Sequence, residues 1–255
     1  MTILKKTGIL FLAFLIVSFN TIVSDAGNDR FEQAKKYLDK GVNTHNEQLV
    51  QDEKGIFIQL SKDNSSNYEY AHYVALSYLG LCDLKNFEIE QSPVKKVKKA
   101  LKAKRVAIAE EGLPFADKSI ELNDNFSESY RVRGALLSNK ISGMFSGMKN
   151  GSLAEEAIDL ALLIDENNPM ALIENARMYI NKPGILGGDV NKGIEIIKNV
   201  LKDNPELEKG YVNLGMAYVE KVEVENAINI FKRLLEINPE NPEARFFLDK
   251  LTLTK

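Results

Sequence analysis

The stretch EKGYVNLGMAYVEKVEVENAINIFKRLLEINPEN, Glu208 to Asn241, decides the fold. Tyr211, Leu214, Gly215 and Tyr218 stand at i, i+3, i+4 and i+7, the spacing of one face of an α-helix, and Ala227, Phe231 and Leu234 form the matching face of a second. Gly215 and Ala227 are small where two helices must approach closely, and Pro239 ends the second helix because it cannot extend it. The spacing therefore predicts an antiparallel helix pair. One such pair cannot bury its apolar face alone, so neighbours must stack on it.

Working outward, the same 34-residue pattern recurs towards the N-terminus in degraded form. NNPMALIENARMY sets Leu172, Ala176 and Tyr179 against Tyr211, Gly215 and Tyr218, and GIEIIKNVLKDNP sets Gly193, Ile197, Val200 and Pro205 against Ala227, Phe231, Leu234 and Pro239. One unit earlier, SESYRVRGALL offers Tyr130, Arg133, Gly134 and Leu137, and AEEAIDLALLIDEN offers Ala154, Ile158 and Ala161. These two units exceed the period by five and eight residues, and the surplus, in NKPGILGG and NKISGMFSGMKNG, is assigned to the turn between the helices of each pair.

Upstream of Ser127 the period fades while the helical pattern continues. FEQAKKYLDKGV and EKGIFIQLSKDN read as a first pair, YEYAHYVALSYLGLC opens a second, and its partner spans Pro93 to about Asn123, with Gly112 and Pro114 expected to break or kink it. Within that span KKVKKALKAKR, Lys95 to Arg105, holds seven basic residues and no acidic one. Val97, Ala100, Leu101 and Ile108 are expected to form a buried seam beneath a solvated cationic face, with Glu110 and Glu111 closing the charge balance; contact of that face with anionic lipid or an acidic partner is the lesser reading. NPEARFFLDKLT, after Pro239, reads as a terminal helix covering the end of the stack.

The 255 residues are 44% hydrophobic and 27% charged, a globular composition, and the net charge of −3 offers no overall attraction to nucleic acid. Lys5 and Lys6, the apolar run Gly8 to Phe19 and Ser24-Asp25-Ala26 read as an export signal cleaved before Gly27. The apolar run is shorter than the roughly 20 residues of a spanning helix. Cleavage would take away two lysines and one aspartate, a net +1, so −3 becomes −4. The expected product is a soluble periplasmic or extracellular protein. Cys82 is the single cysteine, which excludes an internal disulfide, and its apolar neighbours predict an inert buried thiol.

The glycines of NKPGILGGDVNKG, Asn181 to Gly193, raise the question of a phosphate loop. No strand pattern precedes them, GxGxxG is absent and no Gly-Lys-Ser/Thr follows, so they read as a helix-to-helix turn with Asp189 as the N-cap of the next helix. His45 and His72 fall on separate helices without partners at metal-ligand spacing, and Glu110-Glu111 and Glu155-Glu156 are adjacent carboxylates that diverge on a helix. No catalytic residue, metal site or cofactor is expected, and the chain is read as a non-enzyme.

The unit Glu208 to Asn241 resembles the tetratricopeptide repeat (TPR), and the preceding units from about Ser127 resemble it more loosely. SGMFSGMKNGSLAEEAI and NPMALIENARMYINKPGILGGDVNKGIEIIKNVL, together with the export signal, are also similar to a group of exported bacterial TPR proteins, and more distantly to the TPR component associated with TRAP-type transporters, from which this chain departs in lacking a lipid-accepting cysteine. The resemblance implies an all-α solenoid of helical hairpins wound as a right-handed superhelix: residues 29–126 in degenerate repeats, units 127–168, 169–207 and 208–241, and a capping helix 242–253. It implies a concave groove lined by the second, fifth, ninth and twelfth positions of each unit, among them Glu128, Arg131, Met170, Ile173, Arg177, Lys209, Val212 and Met216. Arg131 and Arg177 suit bidentate capture of a carboxylate, or pair internally with Glu128 and Glu174. The function implied is a protein-interaction scaffold in the cell envelope holding a peptide or partner helix; the alternative is a small-solute-binding accessory of a transporter. The apolar RFFL near the C-terminus leaves end-to-end self-association open.

Overall fold

The structure, a computed structural model, describes residues 27–253. The expected export signal over residues 1–26 lies outside them. In chain order the helices are α1 (27–43), α2 (Glu47–Asp63), α3 (Tyr68–Gln91), α4 (Lys95–Leu122), α5 (Ser127–Asn139), α6 (Met144–Ile164), α7 (Pro169–Asn181), α8 (Val190–Asp203), α9 (Glu208–Glu220), α10 (Val224–Ile237) and α11 (Pro242–Leu253). Among the described residues there is no strand, and the architecture is an all-α solenoid in which each hairpin packs on the next.

Small residues set the hairpin spacing. A Cβ on Gly215 would sit 2.5 Å from the Phe231 ring, one on Gly134 2.8 Å from Ile158, and one on Gly112 2.6 Å from Tyr78. Successive hairpins are joined by one recurrent turn, closed by an amide-to-carbonyl bond from Asn67 to Asn64, Asn168 to Asp165, Leu207 to Asn204 and Asn241 to Asn238. At three of these turns the last residue is also an N-cap: the side chains of Asn67, Asn168 and Asn241 accept from the amides of Glu69, Ala171 and Ala244. The turn thus ends one helix and starts the next with the same four residues.

The core forms two apolar clusters. One gathers Phe31, Phe57, Val74, Leu81 and Leu136 from α1 to α5, and the other Ile173, Ile197, Leu214, Phe231 and Phe247 from α7 to α11. Between them α6 contributes Ala154, Ala157, Ile158 and Ala161, all fully buried, so the array is continuous through a seam of mostly small side chains.

Three expectations are corrected. Gly112 and Pro114 do not break α4, which runs unbroken from Lys95 to Leu122; Pro114 lies on the solvent side, and packing of Ala109, Gly112, Ala116 and Ser119 carries the helix past it. Most of the eight-residue surplus after α5 is helix rather than turn: only residues 140–143 reverse the chain, and MFSGMKNG forms the first two turns of α6. Ser146 Oγ accepts from the Ser142 and Gly143 amides and so satisfies that helix start. The seam under the basic run forms only in part: Ile108 packs against the core and Leu101 is half-buried, but Val97 is 45% exposed and Ala100 is exposed, because the first turns of α4 extend past the α5–α6 turn and have only α3 beside them.

Candidate partner-binding face

The eight residues implied by the repeat register lie on α5, α7 and α9, the first helices of three successive hairpins. Arg131, Ile173 and Val212 are buried, at 3%, 0% and 7% exposure, and belong to the packing between hairpins. Glu128, Met170, Arg177, Lys209 and Met216 are half-buried, and they are what the face presents to a partner.

Arg131 is not a free clamp. Its Nε donates to Glu128 at 2.8 Å, and Asn168 Nδ2 donates to Glu128 at 2.7 Å and to Ser127 Oγ at 2.9 Å, while Ser127 donates to the Ala161 carbonyl. Burial pushes the Glu128 carboxyl up, but Arg131 and Asn168 outweigh it and hold it below the usual carboxylate range. The cluster ties α5 to α6 and α7 and is internally satisfied.

Arg177 and Lys209 belong to a second cluster, built from five helices. Lys209 Nζ (α9) meets Asp83 Oδ2 (α3) at 2.9 Å across 126 residues of sequence, and Arg177 Nη1 (α7) donates to both oxygens of Glu174 at 3.1 and 2.8 Å. Glu243 of α11 and Arg105 of α4 complete it electrostatically. The Glu174 charge raises the Arg177 pKa further, and burial, which pulls Lys209 down, is outweighed by Asp83 and Glu243. Burial pushes Glu243 up, and the same burial lowers Arg105, whose guanidinium donates to Asn86 and to the Ile141 carbonyl. Three cations and three carboxylates therefore balance. Next to them Phe87 of α3 packs edge-on against Phe246 of α11, ring centres 5.5 Å apart, with His45 on its other side. The array curls until α3 touches α9 and α11, so its inner side is a lined, charged cleft bridged by side chains rather than an open trough.

Sequence reasoning missed Asp83, Glu243 and Arg105. Nothing in their spacing signals that they meet, because one to three repeats of rotation separate them from Lys209 and Arg177.

The glycine turn between α7 and α8 is structural. Gly184–Leu186 is a single 3-10 turn, Gly187 has φ +89° and a Cβ on Gly188 would overlap the Lys182 carbonyl. The amides of Gly187, Gly188 and Asp189 are spent on the carbonyls of Gly184, Pro183 and Tyr179, which leaves them unable to cradle an anion, and the Asp189 side chain caps α8 through the Lys192 amide. Cys82 is buried with its thiol pushed up by burial, directed at the Arg105 carbonyl. Among the described residues no group of three or more His, Cys, Asp or Glu is placed to hold a metal ion. Open concavities lie along α6, between Ser152 and Leu163, and along α1, between Asp29 and Lys40, and neither touches the charged cluster.

Residues 208–241 match the family model of the tetratricopeptide repeat. The fold is that of a TPR solenoid. The thermophilic TPR protein TTC0263 of Thermus thermophilus superposes with a TM-score of 0.63 at 13% identity, over 86% of this chain and 99% of that one. Human IFIT1, solved as a dimer with m7Gppp-AAAA, superposes with a TM-score of 0.60 at 16% identity, over 81% of this chain but 42% of its own length. At these identities the likeness is one of fold. A search of curated proteins found no match.

Proposed function

We propose that the chain is an exported, non-catalytic interaction scaffold that holds a peptide segment or partner helix against the inner face of α7 and α9. One observation carries this reading: Arg177, about a quarter exposed, spends only Nη1 on Glu174 and keeps Nε and Nη2 as donors, on the pair of helices that presents half-buried Met170 and Met216. A partner's apolar side chains displace water from the two methionines, whose flexible thioethers adapt to shape, while the free edge of the guanidinium takes a carbonyl or carboxylate and sets polarity. TPR folds commonly serve protein partners, which supports the same reading. The transporter-accessory alternative needs an enclosed chamber, whereas the concavities along α6 and α1 are open.

The test is site-specific photocrosslinking in the source cells, with a photoreactive residue at Met216 or, as control, at exposed Lys232 on the outer side of α10. The proposal expects a discrete crosslinked protein from Met216, none from Lys232, and loss of the product when Arg177→Glu is added. Equal products from both positions, or a Met216 product indifferent to Arg177→Glu, would show that the partner does not use this face.

A further inference from the structure

The tips of three successive hairpins carry unpaired charge and exposed apolar groups that neither the core nor the inner cleft uses. In an array of helix pairs the turns inside each pair fall along one edge. Here Arg105 Nη2 donates to the Ile141 carbonyl at 2.6 Å and Lys140 pairs with Glu110 at 3.5 Å, which sets the α5–α6 turn against the middle of α4, and Lys182 pairs with Glu155 at 2.8 Å, which sets the start of the α7–α8 turn against the middle of α6.

Beyond Arg105 the first three turns of α4 extend past the α5–α6 turn, paired with the last turns of α3 and open on their other sides. Lys95, Lys98, Lys99 and Lys102 stand at i, i+3, i+4 and i+7 and form one face, and Val94, Val97 and Leu101 form the opposite face, with Val94 51% exposed. None of these four lysines, nor Lys96 or Lys104, makes an ion pair among the described residues, and no acidic residue occurs between Gln91 and Ala109. On the adjoining tips Phe145 is 89% exposed and Met148 69%, on the projecting turns of α6, and Ile185 is 94% exposed on the glycine turn.

We infer that this edge docks on an anionic lipid bilayer. A helix segment with an open basic face and with Val94 and Val97 exposed beside it suits the interfacial plane, where lysines reach headgroups and apolar side chains enter the acyl boundary. The apolar groups sit on separate projecting tips and form no groove. A protein partner would have to supply a matching pocket for each, whereas a lipid surface admits them independently. This surface is distinct from the inner face of α7 and α9, and both can be occupied together.

The chain contains no tryptophan, so Phe145→Trp installs a single fluorophore at the proposed insertion point. The full chain is titrated with vesicles of phosphatidylcholine alone and of phosphatidylcholine with phosphatidylglycerol. The expected result is a blue shift and quenching by brominated acyl chains on the anionic vesicles only, with an about fivefold loss of partitioning for each of Lys95, Lys98, Lys99 and Lys102 changed to Gln. Leu163→Trp, at the other end of α6 and 81% exposed, stays unshifted. An unshifted Phe145→Trp on vesicles that retain the protein would place the contact elsewhere, including in residues 1–26, and overturn the inference. So would equal shifts on both vesicle types, indifference to the lysine changes, or no vesicle binding.

Discussion

The contact between the second and fifth hairpins of the array is open to a direct thermodynamic test through Asp83 and Lys209. Their side chains are 19% and 26% exposed and meet at 2.9 Å, which at an effective dielectric of about 20 is a gross attraction of about 6 kcal/mol. Desolvation of two mostly buried charges consumes most of that, and Lys209 also faces Glu243, so neither Asp83→Asn nor Lys209→Gln strands a wholly uncompensated ion. Each single change should cost about 1–2 kcal/mol, and the double mutant less than the sum, with a coupling of about 1–2 kcal/mol. The measurement is urea unfolding followed by far-UV circular dichroism for the four proteins of the cycle, compared at constant m-value, since repeat arrays can lose cooperativity. Sites without contact add within about 0.5 kcal/mol. A coupling below that would mean that α3 and α9 do not touch in solution, and that the cleft is an open trough.

Other outcomes follow from local geometry and titration. Gly215→Ala drives a Cβ to 2.5 Å from the buried Phe231 ring, which is stacked on Phe247, and should lower stability by about 1–3 kcal/mol in the same assay. Gly151→Ala, in helix α6 with nothing within 4 Å, should raise it by about 0.5–1 kcal/mol, and a loss there would refute the assignment of MFSGMKNG to helix. Burial lowers the His72 pKa from 6.5 to about 4, against Glu128, which raises it, and Arg131, which lowers it. The unfolded chain takes up the proton from about pH 6.5 downward while the folded chain refuses it until about pH 4, so stability present above pH 6.5 is lost on acidification, by up to roughly 3 kcal/mol. His45, also lowered to about 4 by burial, acts in the same window. Urea midpoints between pH 7 and 4 should therefore fall less steeply for His72→Gln, and an unchanged slope would show that His72 is not buried neutral.

Some of the architecture could be read before any coordinates. Tyr211, Leu214 and Tyr218 are buried on one face of α9, and Ala227, Phe231 and Leu234 on one face of α10, because a helix repeats every 3.6 residues and that period is written directly into the chain. The first helix pair carries a signal that apolar periodicity overlooks: Asn64 to Asn67 makes the same turn as Asp165 to Asn168 and Asn238 to Asn241, and an Asn or Asp three residues before an Asn N-cap marks it. The surplus glycines of MFSGMKNG argue for a turn, but backbone freedom permits a turn without requiring one, and Ser146 supplies the cap that starts α6 there. The pairing of Arg131 with Glu128 and of Arg177 with Glu174 is one of the two readings the sequence offers, since i, i+3 neighbours meet on a helix, and it is the one the structure shows.

What the sequence by itself determined was the set of helices, their antiparallel pairing and the absence of strands among the described residues, because these depend on periodicity and small-residue positions within about 34 residues. What only the tertiary structure decided was which distant side chains share a space: that Lys209 meets Asp83, that Phe87 reaches Phe246, and that the basic turns of α4 project beside the apolar tip of α6. Each hairpin is rotated slightly on the last, and those rotations accumulate over several repeats before α3 meets α9 and α11. Local spacing records each step, whereas the closure is a property of their sum.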